Sequence, residues 1–96
     1  SKAAVRRTVS GGPLKLEGME VAVVDAEGGG VIVAEVAGEA QQGGLRIGDV
    51  LLRVDGHDIH DADRLNEYLA AKKSGTAVRF YVGRGTERLF VVLPKR

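Results

Sequence analysis

Gly44-Leu45-Arg46-Ile47-Gly48-Asp49-Val50-Leu51-Leu52-Arg53-Val54-Asp55-Gly56 decides how the rest of the chain is read. Gly48-Asp49 is a turn signal, and the apolar run Val50 to Val54 that follows has the composition of a strand feeding a core. Asp55-Gly56 then reverses the chain, because glycine accepts positive φ without a steric penalty. Turn, strand and hairpin turn within thirteen residues leave no room for a helix here.

Working upstream, Ala37-Gly38-Glu39-Ala40-Gln41-Gln42-Gly43-Gly44-Leu45 suits a short helix closed by glycine at its C-terminal end. Before it, Gly30-Val31-Ile32-Val33-Ala34-Glu35-Val36 is rich in β-branched residues and predicts a strand. Asp25 to Gly30 is a tight connection. Leu14 to Val21 alternates apolar with polar, as one half-buried strand would, with Gly18 as the single break. Residues 1–13 lack periodicity and end in Ser10-Gly11-Gly12-Pro13, so they predict a flexible linker or an added tail, with the folded unit at 14–96.

Downstream, His60 or Asp61 opens one long helix, with Leu65 and Leu69 stacked at i and i+4. Lys72-Lys73 suit its last turn and Gly75 its cap. Ala77 to Val82 and Glu87 to Leu93 read as two strands around Gly83-Arg84-Gly85-Thr86. The expected fold class is α+β: a small barrel-like sandwich of five or six strands with two helices.

Ninety-six residues fit a single domain able to bury its own core. Few aromatic residues are available, so Val, Leu, Ile and Ala must fill it. Fourteen basic against thirteen acidic residues, with no basic stripe interleaved with aromatics, argue against nucleic acid as a partner. The terminal pairs Arg6-Arg7 and Lys95-Arg96 read as solvated ends. Cysteine is absent, which excludes disulfides and thiolate metal sites. No apolar run approaches the length of a bilayer span. The start Ser1-Lys2-Ala3-Ala4 carries no signal-peptide pattern and is expected to be the boundary of an excised piece.

The stretch Gly44 to Gly56, with Ile59, Leu65, Leu69 and Gly75 downstream, resembles PDZ domains, particularly those appended to bacterial HtrA/Deg-type serine proteases. The resemblance runs from about Leu14 to Leu93. It implies a PDZ-like fold and a peptide-binding role by strand addition, with C-terminal or extended apolar segments as partners. The family's carboxylate-receiving loop would fall on Leu16-Glu17-Gly18-Met19, and its peptide-binding strand would continue through Glu20-Val21-Ala22-Val23. Ala62 and Asn66 would line the groove from the helix, while Leu69 and Met19 would floor the pocket for a last apolar side chain. Glu17 departs from the usual apolar residue of that loop, and its carboxylate would oppose an incoming one. The resemblance further implies a regulatory or substrate-docking domain of a periplasmic or cell-envelope serine protease, monomeric in isolation, with a membrane-associated parent as one option. The alternative role is a scaffold module of a membrane-anchored secretion or organelle protein, binding internal segments.

Other chemistry fares worse. His57-Asp58-Ile59-His60-Asp61-Ala62-Asp63 holds metal-ligand residue types, so a small metal-binding domain is a third reading. A polar turn entering a helix accounts for the same residues, with Asp61 or His60 as N-cap, and no metal or other cofactor is expected. Ser1, Ser10 and Ser74 sit in no Gly-x-Ser-x-Gly elbow, so no catalytic residue is expected. Gly28-Gly29-Gly30 lacks the Lys-Ser/Thr of a P-loop and precedes a strand.

Overall fold

A computed structural model describes residues 12–96. The linker reading of residues 1–11, with Arg6-Arg7, lies outside the described residues. In chain order the elements are β1 (Leu14–Lys15), β2 (Val21–Asp25), β3 (Val31–Val36), α1 (Gly38–Gln42), β4 (Val50–Val54), β5 (His57–Asp58), α2 (Ala62–Ala71), β6 (Ala77–Arg84) and β7 (Glu87–Pro94). All strand pairs are antiparallel in one sheet of order β1-β2-β3-β4-β6-β7, with β5 paired to β4. The α+β class and the two helices stand as expected. The strands number seven among the described residues rather than five or six, because β1 and β5 are two residues each, too short to give a pattern.

The alternation from Leu14 to Val21 is not one strand. Gly18 adopts φ +73°, and the N–H of Leu16 donates to the carbonyl of Val21 at 2.9 Å, so the chain folds into a hairpin there. Leu16 and Val21, five residues apart, would face opposite sides of one straight strand, and folding back at Gly18 puts them on the same face. The turn at Asp55-Gly56 forms as read: φ is +50° and +86° at the two residues, the primed-turn geometry that joins β4 to β5.

Packing explains the remaining order. Val31, Val33, Leu51, Val54, Val78, Phe80, Val82, Val91 and Leu93 point inward from β3, β4, β6 and β7, while Leu45 closes one end and Leu65 and Leu69 of α2 close another. Register slips by one residue at Ala34, where Ala22 pairs with Glu35 and Val23 with Val33, a bulge that bends the sheet around this core.

Asp61 is the N-cap of α2: its carboxylate accepts the N–H of Arg64 at 2.8 Å. The far end differs from the expectation. The helix stops at Ala71, Lys72 is extended with φ −83° and ψ 142°, and Gly75 belongs to the next turn, where its N–H bonds to the carbonyl of Lys95. Lys72 instead reaches Asp55 at 3.0 Å. Lys95 is not a solvated end, and Arg96, though exposed, is paired. Lys95 is 5% exposed, its ammonium donating to the carbonyl of Lys72, and Arg96 pairs with Glu39 at 2.8 Å while its N–H donates to the carbonyl of Gly18. The cause is topological, since β7 runs out alongside the Gly18 turn.

Candidate functional site

The site expected from the sequence is the space between β2 and α2. Two bonds fix these elements against each other. At one end the carboxylate of Asp25 accepts the N–H of Ala62 at 2.7 Å, adding a second cap to the N-terminus of α2. At the other end the side-chain oxygen of Asn66 accepts the N–H of Glu17 at 2.6 Å. The N-terminus of α2 is thereby tied to the end of β2, and the middle of α2 to the loop that precedes β2.

The expected site residues are brought together, and most of their apolar side chains are buried. Leu16 and Leu69 have no exposed surface, Val21 and Val23 almost none, and Met19, Ala22 and Ala62 are buried as well. Glu17 and Glu20 are exposed and Asn66 is half-buried. Leu16, Met19, Val21, Val23, Ala62, Leu65 and Leu69 belong to one continuous apolar cluster.

The edge of β2 that strand addition would use is occupied. Leu14 pairs with Val23 and Lys15 with Ala22 on the side opposite β3. The reason is the hairpin at Gly18, which lays the preceding residues back along β2. Leu14 packs against the core and the ammonium of Lys15 donates to the carbonyl of Met19 at 2.9 Å.

The glycine loop is engaged within the protein. The N–H of Glu17 goes to Asn66, and that of Met19 to the carbonyl of Leu16 at 3.3 Å. That of Gly18 has no partner among the described residues. A β-carbon on Gly18 would come within 2.6 Å of the Arg96 carbonyl, so the turn is closed over by the end of β7. Beside the loop lies a small recess lined by Met19, Glu20, Glu39, Ala40, Leu93 and Arg96.

Elsewhere two carboxylates organise the frame. Arg84 grips Asp49 with two bonds of 2.8 Å and also donates to the carbonyl of Gly44 at 2.7 Å. Burial pushes the Asp49 carboxyl up, but the Arg84 hydrogen bonds, the N–H of Arg46 and both arginine charges outweigh it and hold it below the ordinary value. Asp55 accepts from Tyr68, from the N–H of Arg79 and from Lys72. Burial raises it too, and these donors together bring it below the usual aspartate range. Tyr68 is pushed up to about 12, chiefly by donating to Asp55.

The histidine cluster is dispersed. His57 lies beside the Tyr68 ring, Asp58 pairs with Arg53 at 3.1 Å, and Asp61 is spent on the helix cap. No group of three metal-ligating side chains occurs among the described residues. Sequence reasoning missed Leu14, Lys15, Asp25 and Arg96 as neighbours of the cleft. Asp25 carried a weak signal, a carboxylate ending a strand, but its partner lies 37 residues on.

Residues 16–93 match the family model described as PDZ domain. Among solved structures, the HtrA3 PDZ domain bound to a phage-derived ligand (FGRWV) is similar with a TM-score of 0.68 and 22% identity, over 84% of each chain. The HtrA-type protease AlgW with a decapeptide is similar with a TM-score of 0.67 and 27% identity, over 80% of this chain. The chain spans 27% of that protease chain. No curated protein matches it.

Proposed function

The chain belongs to the PDZ-domain family, and from that premise we propose that it recognises extended, apolar-ending peptides by strand addition along Met19–Val23. The observation that carries this reading is the outer edge of β2. It already holds an extended strand running toward the Gly18 turn, with Leu16 set into the apolar cluster that includes Leu65 and Leu69. Main-chain bonds to β2 supply affinity that is indifferent to sequence, and the pocket between β2 and α2 supplies selectivity. Affinities are micromolar or weaker, on the order of −8 kcal/mol at best, because a short peptide loses its freedom on binding. The peptide-bearing neighbours support the reading, as does the likeness to an HtrA-type protease for the further proposal of a regulatory or substrate-docking domain in an envelope serine protease. Amide chemical-shift mapping with a peptide library tests it: perturbations belong on β2 and α2, and a response confined to the opposite face sinks it.

One observation favours a second reading, an assembly module that binds internal segments. Three of the loop N–H groups, those of Leu16, Glu17 and Met19, are already bonded, and the Glu17 carboxylate stands at the loop, which disfavours a terminal carboxylate. An array comparing free C-termini with internal sequences separates the two.

A further inference from the structure

On the reading that ligands add to β2, we infer that Leu14–Leu16 occupies the ligand's own place, so that a peptide binds by displacing this internal strand. A ligand whose end reaches the Gly18 turn must run antiparallel to β2, and β1 does. The Val21 carbonyl is bonded to the N–H of Leu16, and antiparallel alternation makes Leu14 with Val23 the next hydrogen-bonded pair. Each of these backbone groups faces one neighbour, so a second strand cannot use them while β1 remains. The side chains agree: Leu16 is fully buried, and the pocket-floor residues Met19 and Leu69 are covered.

The occupant is anchored by the buried Leu16, but its outer part is lightly held. Its ladder is two residues long, Lys15 is exposed, and Gly12-Pro13 precedes it. Such short, exposed pairing belongs to the least stable part of a fold. Tethering keeps the occupant at a high effective concentration all the same, so the apparent affinity for a peptide falls in proportion to the open fraction.

The test uses the full chain with Lys15→Cys and Ala22→Cys. The chain has no cysteine of its own, and the two residues face each other as a non-hydrogen-bonded pair, whose Cα separation of about 4.5 Å suits a disulfide. The probes are free-acid peptides Gly-Gly-Pro-Leu-Lys-Leu, a copy of residues 11–16, and Phe-Gly-Arg-Trp-Val, followed by amide shifts. The expected result is that oxidation weakens binding at least tenfold and reductant restores it in the same sample. Leu14→Pro, which deletes a ladder donor, should tighten binding several-fold over the parent. If the oxidised and reduced forms bind alike, with shifts on β2 and α2, the internal strand is no obstacle. That outcome overturns the inference and leaves the peptide-binding reading intact. If neither probe shifts β2 or α2 in any folded variant, the peptide-binding reading itself is overturned, and this inference with it.

Discussion

The side-chain oxygen of Asn66 accepts the backbone N–H of Glu17 at 2.6 Å across 49 residues of sequence. It joins the glycine turn to the middle of α2, and it uses a donor that a carboxylate-receiving loop would turn toward a ligand. The loop and the helix therefore move together until this bond breaks.

Asn66→Ala should keep the fold and lose about 1 kcal/mol, the usual net value of one hydrogen bond. The sharper readout is local. The Glu17 amide should exchange with solvent much faster in the variant, while amides of β6 and β7 stay unchanged. Unaltered Glu17 protection would mean that Asn66 does not hold the loop in solution.

Asp49 and Arg84 form the frame's most enclosed ion pair, with Asp49 2% and Arg84 24% exposed. Removing Arg84 leaves the enclosed Asp49 carboxylate without its partner, whereas Arg84 keeps some access to water when Asp49 is removed. Arg84→Leu and Asp49→Ala should each destabilise in urea unfolding, Arg84→Leu the more. The double variant should lose at least about 1 kcal/mol less than the sum of the two, because the second change removes a charge already orphaned. Strict additivity would count against the pair.

Acid and alkali should act through different groups. Asp49 and Asp55 sit below their ordinary value of 3.8 in the folded protein. Their contribution is therefore present above that value and drains away as pH falls through the lower folded values. Tyr68 is shifted the other way, from 10.0 to about 12, so its contribution holds below pH 10 and is lost as pH rises through about 12. Melting temperatures should stay flat near neutrality and fall at both extremes. Tyr68→Phe should remove the Tyr68-dependent part of the alkaline loss and leave the Asp49 part of the acid loss. A variant with the parent's full alkaline profile would contradict the assignment.

These ties mark where sequence reading stops. The turns at Gly48-Asp49 and Asp55-Gly56, the strand Val50–Val54 and the helix carrying Leu65 and Leu69 were legible, because each is set by residues within a few positions. The hairpin at Gly18 was not: the phase break there, with Leu14 and Leu16 on one face of a straight strand and Met19 and Val21 on the other, reads equally as a kink. Nor were Asp25 with Ala62, Arg84 with Asp49 or Arg96 with the Gly18 carbonyl, whose partners lie 35 or more residues apart and depend on topology. The residues named for the candidate site lie near one another in the fold. The site's state, covered by β1, follows from pairing that no local pattern encodes.

Two glycines with similar φ should respond differently. Gly56, at φ +86°, has open space where a β-carbon would go. Gly56→Val should thus cost only its conformational strain, about 1–2 kcal/mol, which is several degrees of melting temperature in a domain of this size. Gly18, at φ +73°, would also drive its β-carbon to 2.6 Å from the Arg96 carbonyl. Gly18→Val should be clearly worse and should shift the amides of Lys95 and Arg96. Equal melting temperatures for the two variants would show that the end of β7 does not close over the turn.

Glu17 decides between terminal and internal recognition, because its carboxylate stands at the loop where a peptide terminus would arrive. Two unit charges about 8 Å apart in water repel by about 0.5 kcal/mol, roughly a twofold change in affinity. Desolvation on binding enlarges the effect and salt screens it. If peptides present a free carboxylate here, Glu17→Leu should tighten their binding by a factor of two or more, most visibly at low ionic strength. Amidated copies should gain little from the same change, since they carry no charge to repel. Titrations of both forms against parent and variant, at two salt concentrations, read the difference directly. Equal binding of acid and amide, unmoved by Glu17→Leu, would place no carboxylate at the loop. The internal-segment reading would then take the lead, in keeping with an N–H of Glu17 that already belongs to Asn66.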